Sequence, residues 1–306
     1  MVVRGSPERQ RARRLRWKRI ATGFAFMAPA IAVLCAVLLY PIAYNVWLSL
    51  HSYNLSELYL GKHWVGLHNY WLELHDAFFW RALRNSAIVT AASLCIELPI
   101  GMGLALLLNR RLRGHAIFRF FFFLPLMLVP AVTAYMWRFL FQYTGILNYF
   151  LGELHIGRIN WSSTTAGLAS VVVLSVWENT PFSLIVLLAG LQSIDPEILA
   201  AAHVDGADGW RRFRYIVLPL MRQFILIVLV IRTMDLLRLF EEGYILTGGG
   251  PGRSTETLSQ LVYTQMFTFF DVGRGSAISI MEGVVVVGAT LILFLTLRVR
   301  AGQRSA

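Results

Sequence analysis

The chain has 306 residues, of which 57% are hydrophobic and only 15% charged, and its mean hydropathy is +0.59. Ordinary soluble domains carry roughly 25% charged residues, so this composition excludes a protein that hides its apolar surface in a water-soluble core, and lipid must cover much of it. The net charge of +11 does not indicate a nucleic-acid partner, because the basic residues cluster at the ends of apolar runs.

In chain order, residues 1–20 form a basic lead with eight basic residues from Arg4 to Arg19. A hydrocarbon core about 30 Å thick requires roughly 20 apolar residues per helix. Six stretches qualify: Ala21–Leu48, Ser86–Leu108, Phe118–Phe141, Leu168–Leu191, Leu218–Leu239 and Ser276–Leu297. None shows the alternation of a lipid-facing strand. The expected fold class is therefore all-α, a polytopic membrane protein with six transmembrane helices in a domain of residues 21–300, followed by a short tail, 301–306. Besides the basic lead, Arg110, Arg111, Arg113 and Arg119 follow the second span, Arg211, Arg212, Arg214 and Arg222 the fourth, and Arg298, Arg300 and Arg304 the sixth, making nineteen basic residues on one side. The other side has six: Lys62, Arg81, Arg84, Arg158, Arg253 and Arg274. Positive charge is retained in the cytoplasm, which predicts both termini inside and makes the basic lead a lipid-headgroup anchor.

The first apolar run is too long for a cleaved signal peptide and has no clear small-x-small cleavage site, so it reads as a retained span. Cys35 and Cys95 fall inside spans, where a thiol behaves as a small hydrophobe, and they imply neither a disulfide nor a metal site. Lys18 and Lys62 are the only lysines. Neither follows a glycine-rich loop, so no phosphate-binding P-loop can be built and any ATP must be bound by another chain. There is no His-Glu-x-x-His run and no Gly-x-Ser-x-Gly elbow. An enzyme is not expected, and no cofactor is implied for this chain.

Between the fourth and fifth spans lies a polar island, residues 195–219. Asp195 can cap a short helix opened by Pro196, whose fixed φ suits a first helical turn. Gly206 ends that helix, since glycine accepts the left-handed conformation of a C-terminal cap. A second helix starts near Asp208, carries Trp210, Phe213 and Ile216 on one side, and runs into Leu218-Pro219. A helix–turn–helix at the membrane surface can lie on headgroups or insert into a groove on a partner.

The run from Asp195 to Ala207 (Asp-Pro-Glu-Ile-Leu-Ala-Ala-Ala-His-Val-Asp-Gly-Ala), with Trp210, Phe213, Ile216 and Leu218-Pro219, resembles the cytoplasmic coupling motif of the carbohydrate-type permeases of binding-protein-dependent ABC importers, the maltose and trehalose type. The likeness covers most of the chain. It includes Phe26-Met27-Ala28-Pro29, Tyr40-Pro41, Val65-Gly66-Leu67-His68-Asn69-Tyr70, Phe118-Arg119, Leu124-Pro125, Trp177 with Pro181-Phe182, and Leu246-Thr247-Gly248-Gly249-Gly250-Pro251. The resemblance implies a type I ABC importer permease in the bacterial inner membrane. Its partners would be a second, homologous permease, two copies of an ATPase that binds ATP and magnesium, and an extracytoplasmic solute-binding protein that delivers the solute. The implied coupling residues are Glu197, Ala200, Ala201, Asp205, Gly206, Ala207 and Pro219. Ala200 stands where the family usually carries a glutamate, a departure that bears on the strength of coupling. The implied substrate is a sugar, a disaccharide such as trehalose or maltose, or a polyol.

Polar residues within the spans mark a candidate path, because each costs free energy in lipid and tends to face an interior cavity. The fourth span offers Trp177, Glu178, Asn179 and Phe182 around Pro181, and the resemblance places Asn179 and Phe182 beside the translocated sugar. The fifth offers Arg232, Asp235 and Arg238, spaced to meet on one helical face, and then Glu241 and Glu242. This charged group reads either as a structural ion cluster or as a clamp for sugar hydroxyls. Glu97 and Glu282 are further candidates. Together with Asp235 they supply the relay for the alternative reading, an ion-coupled secondary carrier; a membrane scaffold would need no path.

Overall fold

Apolar runs that satisfy every backbone group internally fold as helices in lipid, and helices dominate the computed structural model, which describes residues 22, 24, 26–110 and 115–302. The basic lead 1–20, Ala21, Arg111, Arg113 and the end of the tail lie outside the described residues. The first span is a helix over Phe26–Ser49 (α1). It widens into a π-helical turn over Cys35–Leu39, where the Tyr40 amide reaches the Cys35 carbonyl five residues back. The cause is Pro41, which has no N–H to give and whose ring would clash with the preceding turn.

A short segment outside the spans follows, with a two-residue antiparallel pairing of β1 (His51–Ser52) and β2 (His63–Trp64) and a helix α2 (His68–His75). Asp76 then caps α3 (Ala77–Leu108), its side chain accepting from the Phe78 amide at 2.8 Å. Helix α7 (Gly167–Gln192) packs along α3. The approach is close because Gly101 has no side chain: a Cβ there would lie 2.9 Å from Cβ of Ser183. Of the spanning helices α7 is the most enclosed, with 61% of its most apolar stretch buried, against 0% for α1 and 11% for the last span. The bundle is thus built around α7, and α1 leaves its apolar surface for lipid or another chain.

The expected third span is not one helix. The chain forms α4 (His115–Phe123), a 3-10 turn over Pro125–Met127, and α5 (Pro130–Leu140). Val129 is driven to ψ 128° by the ring of Pro130, and that proline, useless as a donor, opens α5 at its first position. After α6 (Ile146–Glu153) and α7 come α8 (Pro196–Val204), α9 (Gly209–Leu220) and α10 (Arg222–Leu237). The expected fifth span is bent by 64° at Met221, between α9 and α10. Pro219 again demands a π-helical turn, Phe213–Val217, with the Leu218 amide on the Phe213 carbonyl. Among the described residues four helices are long and apolar enough to cross a membrane, or five with the bent pair taken as one span. The chain is completed by α11 (Glu241–Thr247), α12 (Leu258–Tyr263) and the last span, α13 (Val272–Gly302).

Candidate functional site

A polar stripe runs down α7. Ser175, Asn179 and Ser183 fall at i, i+4 and i+8, which in a helix is one face, and Glu178 lies beside it. The face meets α10, and Pro130 at the start of α5 together with Glu241 and Glu242 of α11 completes the wall of an open cavity of about 290 Å³. Ser175, Glu178, Asn179, Arg232, Asp235 and Arg238 line the rest of its polar wall. Glu178, Asn179, Arg232, Asp235, Arg238 and Glu242 of the expected path are therefore gathered at one place, from two spans and the helix that follows them. Asn179 also donates to the Ser175 carbonyl at 3.1 Å.

Trp177 and Phe182 are not among the lining residues. Trp177 faces another quadrant of α7, with its ring 5.4 Å from that of Trp137, in a second, mainly apolar cavity of about 620 Å³ that also contains Thr180, Pro181, Phe121 and Phe122. Phe182 is half-buried one turn beyond Asn179.

The charged group of α10 does not form the expected three-residue face. Arg232, 3% exposed, turns to Glu97 of α3: its Nε stands 3.1 Å from both carboxylate oxygens. Ser183 donates to the same carboxylate at 2.5 Å, and Arg232 Nη2 reaches Ser175 at 3.4 Å. Its link to Asp235 is longer, 3.5 Å, and the Asp235 side chain is 59% exposed. Arg238, the C-terminal cap of α10 with φ −105° and ψ 14°, makes no ion pair with Asp235, although both line the cavity. Sequence reading missed Ser175, Ser183 and Pro130; the i, i+4, i+8 spacing of polar residues in an apolar span was the signal for the first two. Glu97 is fully buried in this ion pair, and Glu282 accepts from Ser259 at 2.5 Å. Neither lines the cavity that Asp235 lines.

Some distance along α7 from this cavity, the loop 195–219 folds as a helix–turn–helix. The Asp195 carboxylate accepts from the Glu197 amide at 2.9 Å. At the other end Gly206 adopts φ +75°, while its amide bonds the His203 carbonyl at 3.1 Å and the Ala207 amide bonds that of Ala202 at 2.9 Å. This is the paired bonding of a Schellman cap, which requires the left-handed residue. Asp208 caps α9 through the Arg211 amide at 2.8 Å. Helix α8 seats Leu199 and Ala202 against the bundle. Glu197, Ala200, Ala201, Asp205 and Gly206 stand exposed, as does Pro219, and Ala207 is half-buried. Trp210, 69% exposed, packs its ring 5.7 Å from that of Phe213, which turns inward.

A bundle of apolar helices around a polar cavity, with a capped helix–turn–helix standing off one end, is the architecture of a membrane permease subunit. The chain belongs to the family of binding-protein-dependent transport system inner membrane components, whose model matches residues 97–304. It is 33% identical over 281 residues to the trehalose/maltose transport system permease protein MalF of Thermococcus litoralis, covering 91% of this chain and 94% of that one. It is 37% identical over 268 residues to the trehalose transport system permease protein SugA of Mycobacterium tuberculosis, covering 88% and 85%. Its fold matches a chain in the crystal structure of a bacterial ABC transporter involved in the import of the acidic polysaccharide alginate, with a TM-score of 0.77, 22% identity, and coverage of 92% and 96%.

Proposed function

We propose that this chain is the sugar-translocating half of an ATP-driven importer, and that its cavity is the passage for a disaccharide such as trehalose or maltose, or a polyol. The observation that carries the reading is the polar cavity of about 290 Å³ inside a chain whose relatives carry trehalose and maltose in their names. That volume is near the lower end of small-molecule sites, roughly 300–1,000 Å³. The Asn179 amide and the carboxylates opposite it suit hydroxyl pairs. A second permease supplies the other half of the pore, two ATPase subunits dock on α8 and α9, and a solute-binding protein hands over the sugar at the far end. ATPase closure pushes the exposed face of α8, which is rigid because both its ends are capped, and the push reaches α7 and α10 through Leu199, Phe213 and Met221. With Ala200 and Ala201 exposed between Glu197 and Asp205, that contact combines apolar area with charge at its two ends.

Asn179→Ala removes hydrogen bonds worth roughly 1 kcal/mol each when desolvated, and Phe182→Ala removes an apolar ring near the path. Sugar uptake in vesicles should fall for Asn179→Ala, while complex yield and basal ATP hydrolysis are retained. Normal uptake in that variant would reject the cavity as the passage. Failure of the purified chain to bring down an ATPase would reject the assembly.

A further inference from the structure

The charges around the cavity are unequal. Glu178, Asp235, Glu241 and Glu242 line it, against Arg232 and Arg238. The charge of Arg232 is already neutralised for a negatively charged solute, because Glu97 holds its Nε at 3.1 Å with both oxygens, while Ser175 and Asp235 each stand near one of the other nitrogens, at 3.4 Å and 3.5 Å. Glu97 is itself sealed at 0% exposure and lies outside the cavity wall. It cancels the buried cation of the cavity wall without offering a solute anything. Arg238, exposed at the end of α10, is then the sole remaining cation of the wall among the described residues. Glu178 is 5% exposed, yet its Oε2 has no hydrogen-bond partner. Buried polar atoms are almost always paired, so an unpaired acceptor on a cavity wall is a place for a donor that arrives with the solute.

We propose that this cavity is a charge filter: it admits hydroxylated solutes that are neutral or carry an amine, and rejects those that carry a carboxylate, phosphate or sulfate, with Glu178 and Glu242 setting the choice. The proposal rests on the sugar-permease reading and adds to it the charge class of the sugar. A hydroxyl or ammonium donates to Glu178 Oε2. An anionic group meets a wall of four acidic side chains and finds no free buried cation, and unfavourable placement of this kind is how sites reject near-identical ligands.

The test reads the cavity's charge without any sugar. In a background of Cys35→Ser and Cys95→Ala, Asn179→Cys places a thiol on the cavity wall of the assembled transporter. Its rates with a cationic and an anionic methanethiosulfonate are each divided by the rate with 2-mercaptoethanol in solution, which removes the reagents' intrinsic difference. The cationic reagent should be favoured by about tenfold or more, and Glu178→Gln with Glu242→Gln should reduce that preference by about threefold or more, since focused charge in a cleft changes local ion concentration by 10- to 1,000-fold. A preference at or below unity overturns the filter, and that arm needs no glutamate variant to fold. A preference that the double variant leaves unchanged overturns the assignment to Glu178 and Glu242. In parallel, uptake of trehalose, 6-amino-6-deoxytrehalose and the 6-carboxylate of trehalose is compared at equal loading of the solute-binding protein. The first two should enter and the acid should lag by about tenfold; an acid that enters as fast as trehalose overturns the filter. A strong cationic preference with no uptake of any of the three sustains the filter and refutes the sugar reading.

Discussion

Replacing Arg232 with methionine tests the ion pair that joins α3, α7 and α10. The guanidinium is 3% exposed and its partner Glu97 0% exposed, so the change leaves a carboxylate deep in the bundle with the Ser183 hydroxyl as its remaining donor. Breaking a buried pair from one side costs about 3–5 kcal/mol, because an uncompensated charge stays behind. A hydrogen bond to a charged group is worth about 1.5–3 kcal/mol, and Ser183 keeps its own, which puts the expected loss near the lower bound, about 3 kcal/mol. Glu97→Gln should cost less, about 2 kcal/mol, since Arg232 retains Asp235 at 3.5 Å. Asp235→Asn should cost under about 1 kcal/mol, because that carboxylate is 59% exposed and screened by solvent. In the double variant Arg232→Met with Glu97→Gln, no bare charge remains, and the two losses should fall short of additivity by about 2 kcal/mol. Denaturant unfolding of the purified transporter in detergent measures all four. Arg232→Met within about 1 kcal/mol of the parent, or a coupling below about 0.5 kcal/mol, would refute the view that Glu97 and Arg232 hold the cavity wall.

Gly206→Val has open space for its side chain but must hold φ +75°, a strain of about 1–2 kcal/mol; the cap of α8 should loosen and solute-stimulated ATP hydrolysis of the reconstituted complex should drop, with basal hydrolysis as the control. At Gly273 a Cβ would overlap the His51 carbonyl oxygen, so Gly273→Ala should displace the start of α13 and lower the stability measured by denaturant unfolding by about 1–3 kcal/mol. Burial raises the Glu73 carboxyl above its ordinary 4.5, against the lowering effect of Arg274, whose guanidinium stands 2.6 Å away. The folded state then binds this proton more tightly than the unfolded one, so its contribution to stability falls as pH climbs from 4.5 through the raised value, and Glu73→Gln should flatten the measured slope over that window. Cysteines replacing Ser56 and Arg253 should react with an impermeant thiol reagent added outside intact cells, and those replacing Arg110 and Arg212 should not; the reverse pattern would overturn the orientation that puts α8 in the cytoplasm.

Membrane spans and short capped helices were legible in the amino-acid order because their physics is local. Lipid asks of a segment only that it be long and apolar, and the ends of α8 follow from Asp195, Pro196 and Gly206 through bonds that reach two to five residues. The prolines at 125, 130 and 219 were equally visible, yet averaged hydropathy has no term for a missing N–H. The expected third span therefore looked continuous where the chain divides into α4 and α5, and the fifth looked straight where it bends. Spacing along one helix also suggested that Arg232, Asp235 and Arg238 would meet one another. The strongest partner of Arg232 is Glu97, 135 positions away in the chain, and Arg238 makes no ion pair with Asp235. Helical periodicity says which residues share a face but not which neighbour that face meets. The cavity exists only where faces of α5, α7, α10 and α11 converge, and that convergence is decided by close packing such as Gly101 against Ser183, which brings α3 near enough for Glu97 to neutralise a buried arginine.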